Sequence, residues 1–129
     1  MLIGAMCLSL SSCGSAKLSV ANEQMERGEY NDAANTYRKV YNTLVKREER
    51  PLRGEIAFKM GECYRKLNMS ARASAAYQNA ARYQYPDSTL FLYLAQSLHE
   101  EGKYAAALKN YDTYLAFNPS SSEARDGKR

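Results

Sequence analysis

The residues that could carry chemistry in this chain are few and poorly grouped. His99 is the only histidine among 129 residues, so the chain has no histidine pair for a metal ion and no basis for assembling a Ser-His-Asp triad. Glu48-Glu49 and Glu100-Glu101 are adjacent pairs, and adjacent carboxylates point to different sides of a helix. No glycine-rich phosphate-binding pattern occurs in the sequence. The sequence therefore predicts a non-enzymatic protein with no cofactor and no metal.

An uncharged apolar stretch, MLIGAMCLSL, occupies residues 1–10. It is shorter than the roughly 20 residues that span a bilayer and has the length of a signal-peptide core, although the usual preceding basic residues are absent. Residues 10–13, LSSC, resemble the lipobox of bacterial lipoproteins, which is a hydrophobic residue, two small residues and a cysteine. That resemblance implies a signal peptide over residues 1–12, acylation of Cys13 after cleavage, and a lipidated linker over residues 13–16.

The context of the cysteines bears on the address of the protein. Gly14, rather than Asp, follows Cys13, and no acidic run comes after it. By resemblance to sorted bacterial lipoproteins, this implies the inner leaflet of the outer membrane, with the domain facing the periplasm. The alternative is an apolar leader in which Cys13 is incidental. Cys7 would leave with the signal peptide, so Cys63 would be the only unmodified thiol, which excludes a disulfide framework and favours a buried structural thiol.

The composition favours a helical domain. Hydrophobic residues make up 45% of the chain and charged residues 25%, with only 7 Gly and 3 Pro, which favours helices over a turn-rich β fold. The mean hydropathy of −0.59 argues against an integral membrane protein. The formal net charge of +4 is mild, and the sequence therefore predicts no nucleic-acid partner.

Three segments of the chain repeat one another. Residues 60–80 align without gaps with residues 94–114 at an offset of 34, and residues 27–40 align with residues 101–114 at an offset of 74. The second offset leaves six extra residues between the first two copies. We place them in the charged segment 46–51, KREERP, and expect a solvated extension or loop there. A period of 34 is that of the tetratricopeptide repeat, in which each copy is a helix, a turn and a second helix.

The repeated positions have residue types that pairs of packed helices require. Small residues recur where helices approach, tyrosines fill the space beside them, and Gly or Asn stands where a helix must end in a left-handed residue. These positions are Ala33, Ala73 and Ala107, Gly61 and Ala95, then Tyr37, Tyr77 and Tyr111, then Gly28, Asn68 and Gly102. We expect the tyrosines to be scaffold residues whose hydroxyls bond to water or backbone.

These residues resemble the tetratricopeptide repeat over residues 17–119. The resemblance implies an all-α fold, a right-handed superhelical solenoid of about three helical hairpins. We predict six helices, at about 17–27, 31–46, 54–67, 70–84, 87–101 and 104–117. Residues 120–129 are predicted to be a polar tail or the start of a capping helix.

In tetratricopeptide arrays the first helices of the repeats line a concave groove. By that resemblance the groove here would be built from Asn22, Met25, Glu55, Phe58, Glu62, Arg65, Lys66, Leu92, Gln96 and His99. Phe58 and Leu92 would provide apolar platforms among charges of both signs, which suits an extended or helical peptide segment. The family's carboxylate clamp needs a basic, Asn-rich groove, and too few of these residues provide one.

A lipobox followed by a short repeat array resembles the N-terminal region of OmpA-like, PorE-type envelope lipoproteins of Bacteroidetes. This implies a lipid-anchored interaction scaffold that binds another envelope protein or peptide segment, in outer-membrane assembly or type IX secretion. The membrane would be contacted through the lipid on Cys13, and no small-molecule substrate is expected. The alternative is a soluble repeat adaptor or co-chaperone without lipidation.

Overall fold

The structure, a computed structural model, describes the backbone of residues 2–129 and the side chains of residues 14–129. This part of the chain is helical and has no strands. Its helices are α1 (Leu2–Glu26), α2 (Tyr30–Thr43), α3 (Arg50–Lys66), α4 (Ser70–Arg82), α5 (Thr89–Glu100), α6 (Tyr104–Phe117) and α7 (Ser122–Gly127), with one 3-10 turn at Arg47–Glu49. Each helix packs chiefly against its neighbours in sequence, so α1/α2, α3/α4 and α5/α6 form three hairpins. The predicted all-α solenoid of helical hairpins is confirmed.

The turns inside the hairpins depend on residues in the left-handed region. Gly28, Asn68 and Gly102 have φ of 77°, 56° and 79°, which confirms the predicted helix ends. Gln84, two residues after the end of α4, also has a positive φ, 58°. The sequence did not indicate this fourth position, because glutamine has no particular preference for left-handed backbone.

The joint between the first two hairpins is more ordered than a solvated loop. α2 ends at Thr43, earlier than predicted, and the extra residues form the 3-10 turn before α3 begins. Pro51 lies in the first turn of α3, where its missing N–H has no helical partner to lose. The backbone N–H of Lys46 donates to Oε2 of Glu49 at 2.9 Å and closes the turn.

Arg53 holds this joint together from inside. Its Nη1 donates to the carbonyl oxygen of Leu44, the residue that follows α2, at 2.9 Å. Its guanidinium lies over the ring of Tyr41, 4.4 Å from the centroid, and over that of Tyr83 at 5.3 Å. One side chain thereby connects α2, α3 and the residue that follows α4.

Close helix packing depends on small residues, as the repeat pattern predicts. Gly61 and Ala73 are buried, and a Cβ on Gly61 would lie 2.6 Å from ring atoms of Tyr77. Cys63 is fully buried beside them, and burial, with a smaller effect of Glu62, raises its pKa to about 11. The prediction of a buried structural thiol is confirmed.

α7 continues the repeat by one further period. Ala124 follows Leu90 by 34 residues, as Leu90 follows Ile56, and all three are fully buried. A Cβ on Gly127 would overlap the ring of Tyr111 on α6. The described structure thus has a short helix over Ser122–Gly127 that packs against α6.

The N-terminal predictions concern residues whose side chains the structure does not describe. α1 extends from Leu2, well before the predicted start at residue 17. None of the described helices combines the length and the apolar character that crossing a membrane requires. The side chain of Cys13 lies outside the described residues, so its lipidation remains a prediction, as does the signal peptide over residues 1–12.

Candidate functional site

The first helices of the three hairpins place equivalent side chains in a row. Asn22 on α1, Glu62 on α3 and Gln96 on α5 occupy the same repeat position, and each is half-buried. Neighbouring first helices are connected at this level, because Nζ of Lys59 donates to Oδ1 of Asn22 at 3.2 Å, and Nε2 of Gln96 donates to Oε1 of Glu123 on α7 at 2.7 Å. We call the surface formed by α1, α3 and α5 the groove.

A hydrogen-bonded ion pair lies at the centre of the groove. Nη2 of Arg65 is 3.0 Å from Oε2 of Glu62, and Nε of Arg65 donates to the Tyr77 hydroxyl at 3.2 Å. That hydroxyl donates in turn to Oε1 of Glu62 at 2.5 Å. The Arg65 guanidinium also lies over the ring of Tyr93, 4.2 Å from its centroid. Three side chains thus fix the direction in which Arg65 points.

The pKa shifts in this cluster follow from burial and from these bonds. Burial raises the pKa of Tyr77 strongly, and the Glu62 carboxylate raises it further. Burial alone would lower the pKa of Arg65, but its hydrogen bonds to Glu62 and Tyr77 raise it instead. At neutral pH the cluster therefore holds a neutral phenol and a guanidinium that keeps its charge.

Half-buried aromatic rings surround the ion pair. Phe58 stacks on Tyr85 with centroids 4.4 Å apart and planes inclined by 13°, and it meets Tyr77 in a tilted contact at 5.7 Å. Tyr93 lies 6.1 Å from Tyr77. Rings that are partly exposed and held in place offer apolar contact area at a low entropic cost.

Leu92 is a correction to the predicted groove. It is 5% exposed and belongs to the core cluster, because α5 packs against both α4 and α6 and buries most of its circumference. It is therefore not an apolar platform. The exposed aromatic contribution of α5 comes from the next residue, Tyr93. The sequence analysis missed Tyr93, although it named the adjacent residue, Leu92. It also missed Tyr85, because that residue lies in a turn.

The α1 end of the groove contains a second tyrosine in the same arrangement. The Tyr37 hydroxyl donates to Oδ1 of Asn22 at 2.5 Å and lies 3.6 Å from Sδ of Met25. A cleft of about 430 Å³ opens here, lined by Asn22, Met25, Glu26, Tyr37 and Lys59. The expectation that tyrosine hydroxyls bond to water or backbone is wrong for Tyr37 and Tyr77, because both rings extend across their hairpin to groove side chains.

The α5 end of the groove is polar. A cleft of about 410 Å³ is lined by Arg65, Asn68, Gln96, Ser97, His99, Glu100 and Tyr111. His99 is exposed and meets the rings of Tyr104 and Tyr111 edge-on, at 5.3 and 6.4 Å.

Glu55 and Lys66 are exposed as well, and Glu55 pairs with Lys59 at 3.5 Å. The predicted groove residues other than Leu92 are thus exposed or half-buried.

Among the described residues, no group of three or more His, Cys, Asp or Glu side chains is arranged to hold a metal ion. A further cleft of about 510 Å³ lies between α6 and α7 and is lined in part by His99, with Tyr104 and Leu108 exposed. α7 covers Tyr111 and leaves these two uncovered.

Comparison with known proteins identifies the repeat. Residues 55–88 match the family model of the tetratricopeptide repeat. One helical hairpin of the chain therefore matches the tetratricopeptide repeat. The matched residues include most of α3 and all of α4, the hairpin that holds the central ion pair of the groove. No curated protein matches the sequence.

Solved structures share the fold over most of the chain. The first tetratricopeptide-repeat domain of Spaghetti (RPAP3), bound to the HSP90 peptide SRMEEVD, is similar with a TM-score of 0.73 and 18% identity, over 90% of this chain and 87% of that one. The Yersinia enterocolitica type III secretion chaperone SycD, in complex with a peptide of the translocator YopD, has a TM-score of 0.66 and 17% identity, over 87% and 81%. The Sgt2 tetratricopeptide-repeat domain from Aspergillus fumigatus has a TM-score of 0.67 and 16% identity, over 89% and 74%. At such identities these likenesses establish the fold of the repeat domain.

Proposed function

We propose that this protein is a non-enzymatic scaffold whose groove binds an extended segment of another envelope protein. The observation that carries the proposal is the set of half-buried rings, Phe58, Tyr85 and Tyr93, arranged around the Arg65–Glu62 pair on the face formed by the first helices. Aromatic residues and an ordered arginine are the side chains that dominate binding energy at protein interfaces. Structures of the same fold, RPAP3 and SycD, have been solved with peptides.

The charges in the groove favour one kind of segment. The two cations at its centre are already engaged, Arg65 with Glu62 at 3.0 Å and Lys59 with Glu55 at 3.5 Å. A ligand carboxylate would have to displace a carboxylate that the fold itself provides. We therefore infer a segment that inserts an apolar or aromatic side chain beside Phe58, rather than an acidic C-terminus like that of the HSP90 peptide SRMEEVD.

The proposal extends to the place of the scaffold in the cell. An acylated Cys13 would anchor the chain in the outer membrane, with the repeats facing the periplasm. Three acyl chains support stable anchoring, whereas one chain binds only marginally. The process served would be outer-membrane assembly or type IX secretion, by the resemblance of the lipobox and array to PorE-type lipoproteins. The competing proposal is a soluble adaptor without lipid.

The anchoring part is tested by mass and by fractionation of a bacterial envelope that expresses the chain. We expect the mature protein to begin at Cys13, to carry the mass of acyl chains, and to sediment with the outer membrane. Cys13→Ala should remove the acyl mass and the sedimentation with the outer membrane, while Cys7→Ala should change nothing. A mature chain that retains Met1 and has no added mass would favour the soluble adaptor instead.

The groove part is tested by selecting binders from a displayed library of short peptides. We expect Tyr93→Ala to weaken the selected peptides by about tenfold or more, since it removes an aromatic contact. Arg38→Ala on the exposed side of α2 is the matched control and should leave affinity unchanged. Thermal unfolding of both variants establishes that they are folded. Equal loss with both variants would contradict binding in the groove.

A further inference from the structure

The excess positive charge of the chain is concentrated in one segment. Residues 38–53 contain six Lys or Arg and two Glu, whereas the rest of the sequence contains twelve residues of each sign. This segment comprises the end of α2, the 3-10 turn and the first residues of α3. It includes the six residues that the first repeat has in addition to the regular period. Segment 38–53 therefore accounts for the whole formal net charge of +4.

Four exposed cations near this insertion have no ion-pair partner among the described residues. We call them the basic edge: Lys46, Arg47, Arg50 and Arg82. Two of them, from the start of α3 and the end of α4, line a cleft of about 480 Å³ together with Pro51, Tyr83 and Gln84. Two nearby carboxylates are occupied, because Glu49 accepts from a backbone N–H at 2.9 Å and Asp87 from another at 3.0 Å. Glu48 is the remaining acidic residue of the insertion.

The topology places the basic edge at the same end of the helices as Cys13. Because the hairpins are antiparallel, α1 and α3 run away from this end while α2 and α4 return to it. Leu18 of α1 packs against the core cluster that contains Val40 and Leu44 of the α2 end. The backbone of Cys13 precedes Leu18 by less than two helical turns, so it lies toward the level at which α2 ends and the insertion begins.

We propose that the basic edge rests on the anionic headgroups of the membrane that the Cys13 lipid would enter. This inference rests on the proposed lipid anchoring for its geometry. Each Lys or Arg close to an anionic surface strengthens association by about fivefold, and the attraction acts within roughly 10 Å at ordinary salt. A tether at Cys13, at the same end of the helices, would hold the basic edge toward the membrane surface. The contact would hold the repeats in one orientation on the membrane, with the groove left open to its partner.

The test uses the full chain with Cys13→Ala, which has no acylation site, and measures co-sedimentation with vesicles. Vesicles of phosphatidylcholine alone give the contribution of the apolar residues 1–10, and vesicles that also contain phosphatidylglycerol add the anionic surface. We expect stronger binding to the anionic vesicles, and we expect added salt to remove the difference. Arg47→Glu with Arg50→Glu should reduce binding to anionic vesicles by about 25-fold or more, since two cations are lost.

The matched control reverses two exposed cations elsewhere, Arg72→Glu and Lys109→Glu, with the same change in net charge. We expect this pair to lower vesicle binding much less than the basic-edge pair does. An equal loss of vesicle binding with both pairs, or no preference for anionic vesicles, would overturn the inference. A chain that binds the acidic polypeptide polyglutamate but not anionic vesicles would also overturn it. Lipid anchoring is measured in a separate experiment, by the mass of the unmutated chain. An absence of Cys13 acylation and an absence of membrane binding by the basic edge therefore give different results.

Discussion

The hydroxyl of Tyr77 donates to the carboxylate of Glu62, 15 residues earlier in the chain, at 2.5 Å. The Tyr37 hydroxyl makes the same bond to Asn22, also 15 residues earlier. In both hairpins the ring is fully buried, while the hydroxyl ends at the groove. The residue that fills the core therefore also orients a groove side chain. Substitutions in the core of this protein should change the orientation of groove side chains, and substitutions in the groove should change the stability of the core.

Replacing Glu62 by Gln tests this coupling. Arg65 would lose its carboxylate partner, and Tyr77 would lose its charged acceptor. We expect the free energy of unfolding in urea to fall by about 1–2 kcal/mol, since hydrogen bonds to charged groups contribute that much when partly buried. Glu55→Gln, at a more exposed ion pair, is the control and should cost under about 0.5 kcal/mol. Equal effects would contradict the structural role of Glu62.

The same Glu62→Gln variant makes a binding prediction. Arg65 would become free to accept a carboxylate from a ligand. We expect the acidic peptide SRMEEVD to bind the variant more tightly than the parent chain, measured by calorimetry. A parent chain that already binds this peptide as tightly as its variant would show that the internal ion pair does not exclude acidic segments.

Gly61→Ala tests the close approach of α3 and α4. The added methyl group would lie 2.6 Å from ring atoms of Tyr77, so the ring or the helix must move. We expect a loss of about 1–3 kcal/mol in the free energy of unfolding, the usual range for overpacking a core. Gly14→Ala on α1, where the new Cβ would meet nothing within 4 Å, should be neutral or stabilising. A stable Gly61→Ala variant would contradict this packing.

Stability should fall at alkaline pH because buried groups, Cys63, Tyr37 and Tyr77, resist ionisation. Burial, the largest cause in each case, raises the pKa of Cys63 from 9.0 to about 11 and that of Tyr37 from 10.0 to about 12. In the unfolded chain both groups lose their protons at lower pH, so rising pH favours unfolding. We expect constant stability below pH 9 and a decline between pH 9 and 12. The measurement is the free energy of unfolding in urea at each pH.

Cys63→Ala separates the two contributions. The variant should have a lower overall stability, because a buried side chain is truncated, and a smaller decline between pH 9 and 11 than the parent has. The decline above pH 11, which comes from the buried tyrosines Tyr37 and Tyr77, should remain. An unchanged slope between pH 9 and 11 would show that the thiol ionises as readily in the folded chain as in the unfolded one.

Arg53 should matter through its shape as well as its charge. It packs between Tyr41 and Tyr83 and bonds to the carbonyl oxygen of Leu44. We expect Arg53→Lys to destabilise by about 1–2 kcal/mol in thermal or urea unfolding, because a lysine lacks the planar group that lies over the rings. Arg50→Lys, at an exposed position of the same helix, is the control. Equal stability of the two variants would exclude this role.

The repeat pattern predicted the architecture well where sterics allow one residue type. A small residue, Gly61 or Ala95, recurs with a tyrosine, and a Cβ at Gly61 would overlap the ring of Tyr77. Asn68 recurs with two glycines because the turn needs a positive φ. The periodicity of the sequence predicted the groove residues less well. Leu92 and Tyr93 differ by one residue, and only the packing of α5 decides which of them is exposed.

Interactions between distant residues could not be predicted from spacing. The Phe58–Tyr85 stack joins a helix to a turn, and Arg53 bonds to the end of an earlier helix. Neither pair lies at a helical interval. The 3-10 turn at Arg47–Glu49 likewise depends on where α2 ends, which local sequence determined only approximately.

The central claim, that the groove holds a segment of another protein, is tested most directly by site-specific photocrosslinking in the native envelope. A photoreactive amino acid is placed at Gln96 or Lys66 in the groove, and at Arg38 or Lys109 on the exposed side of the second helices. We predict that both groove positions give a crosslink to the same protein and that neither outer position does. Crosslinks of equal yield from the outer positions, or none from the groove, would contradict the account.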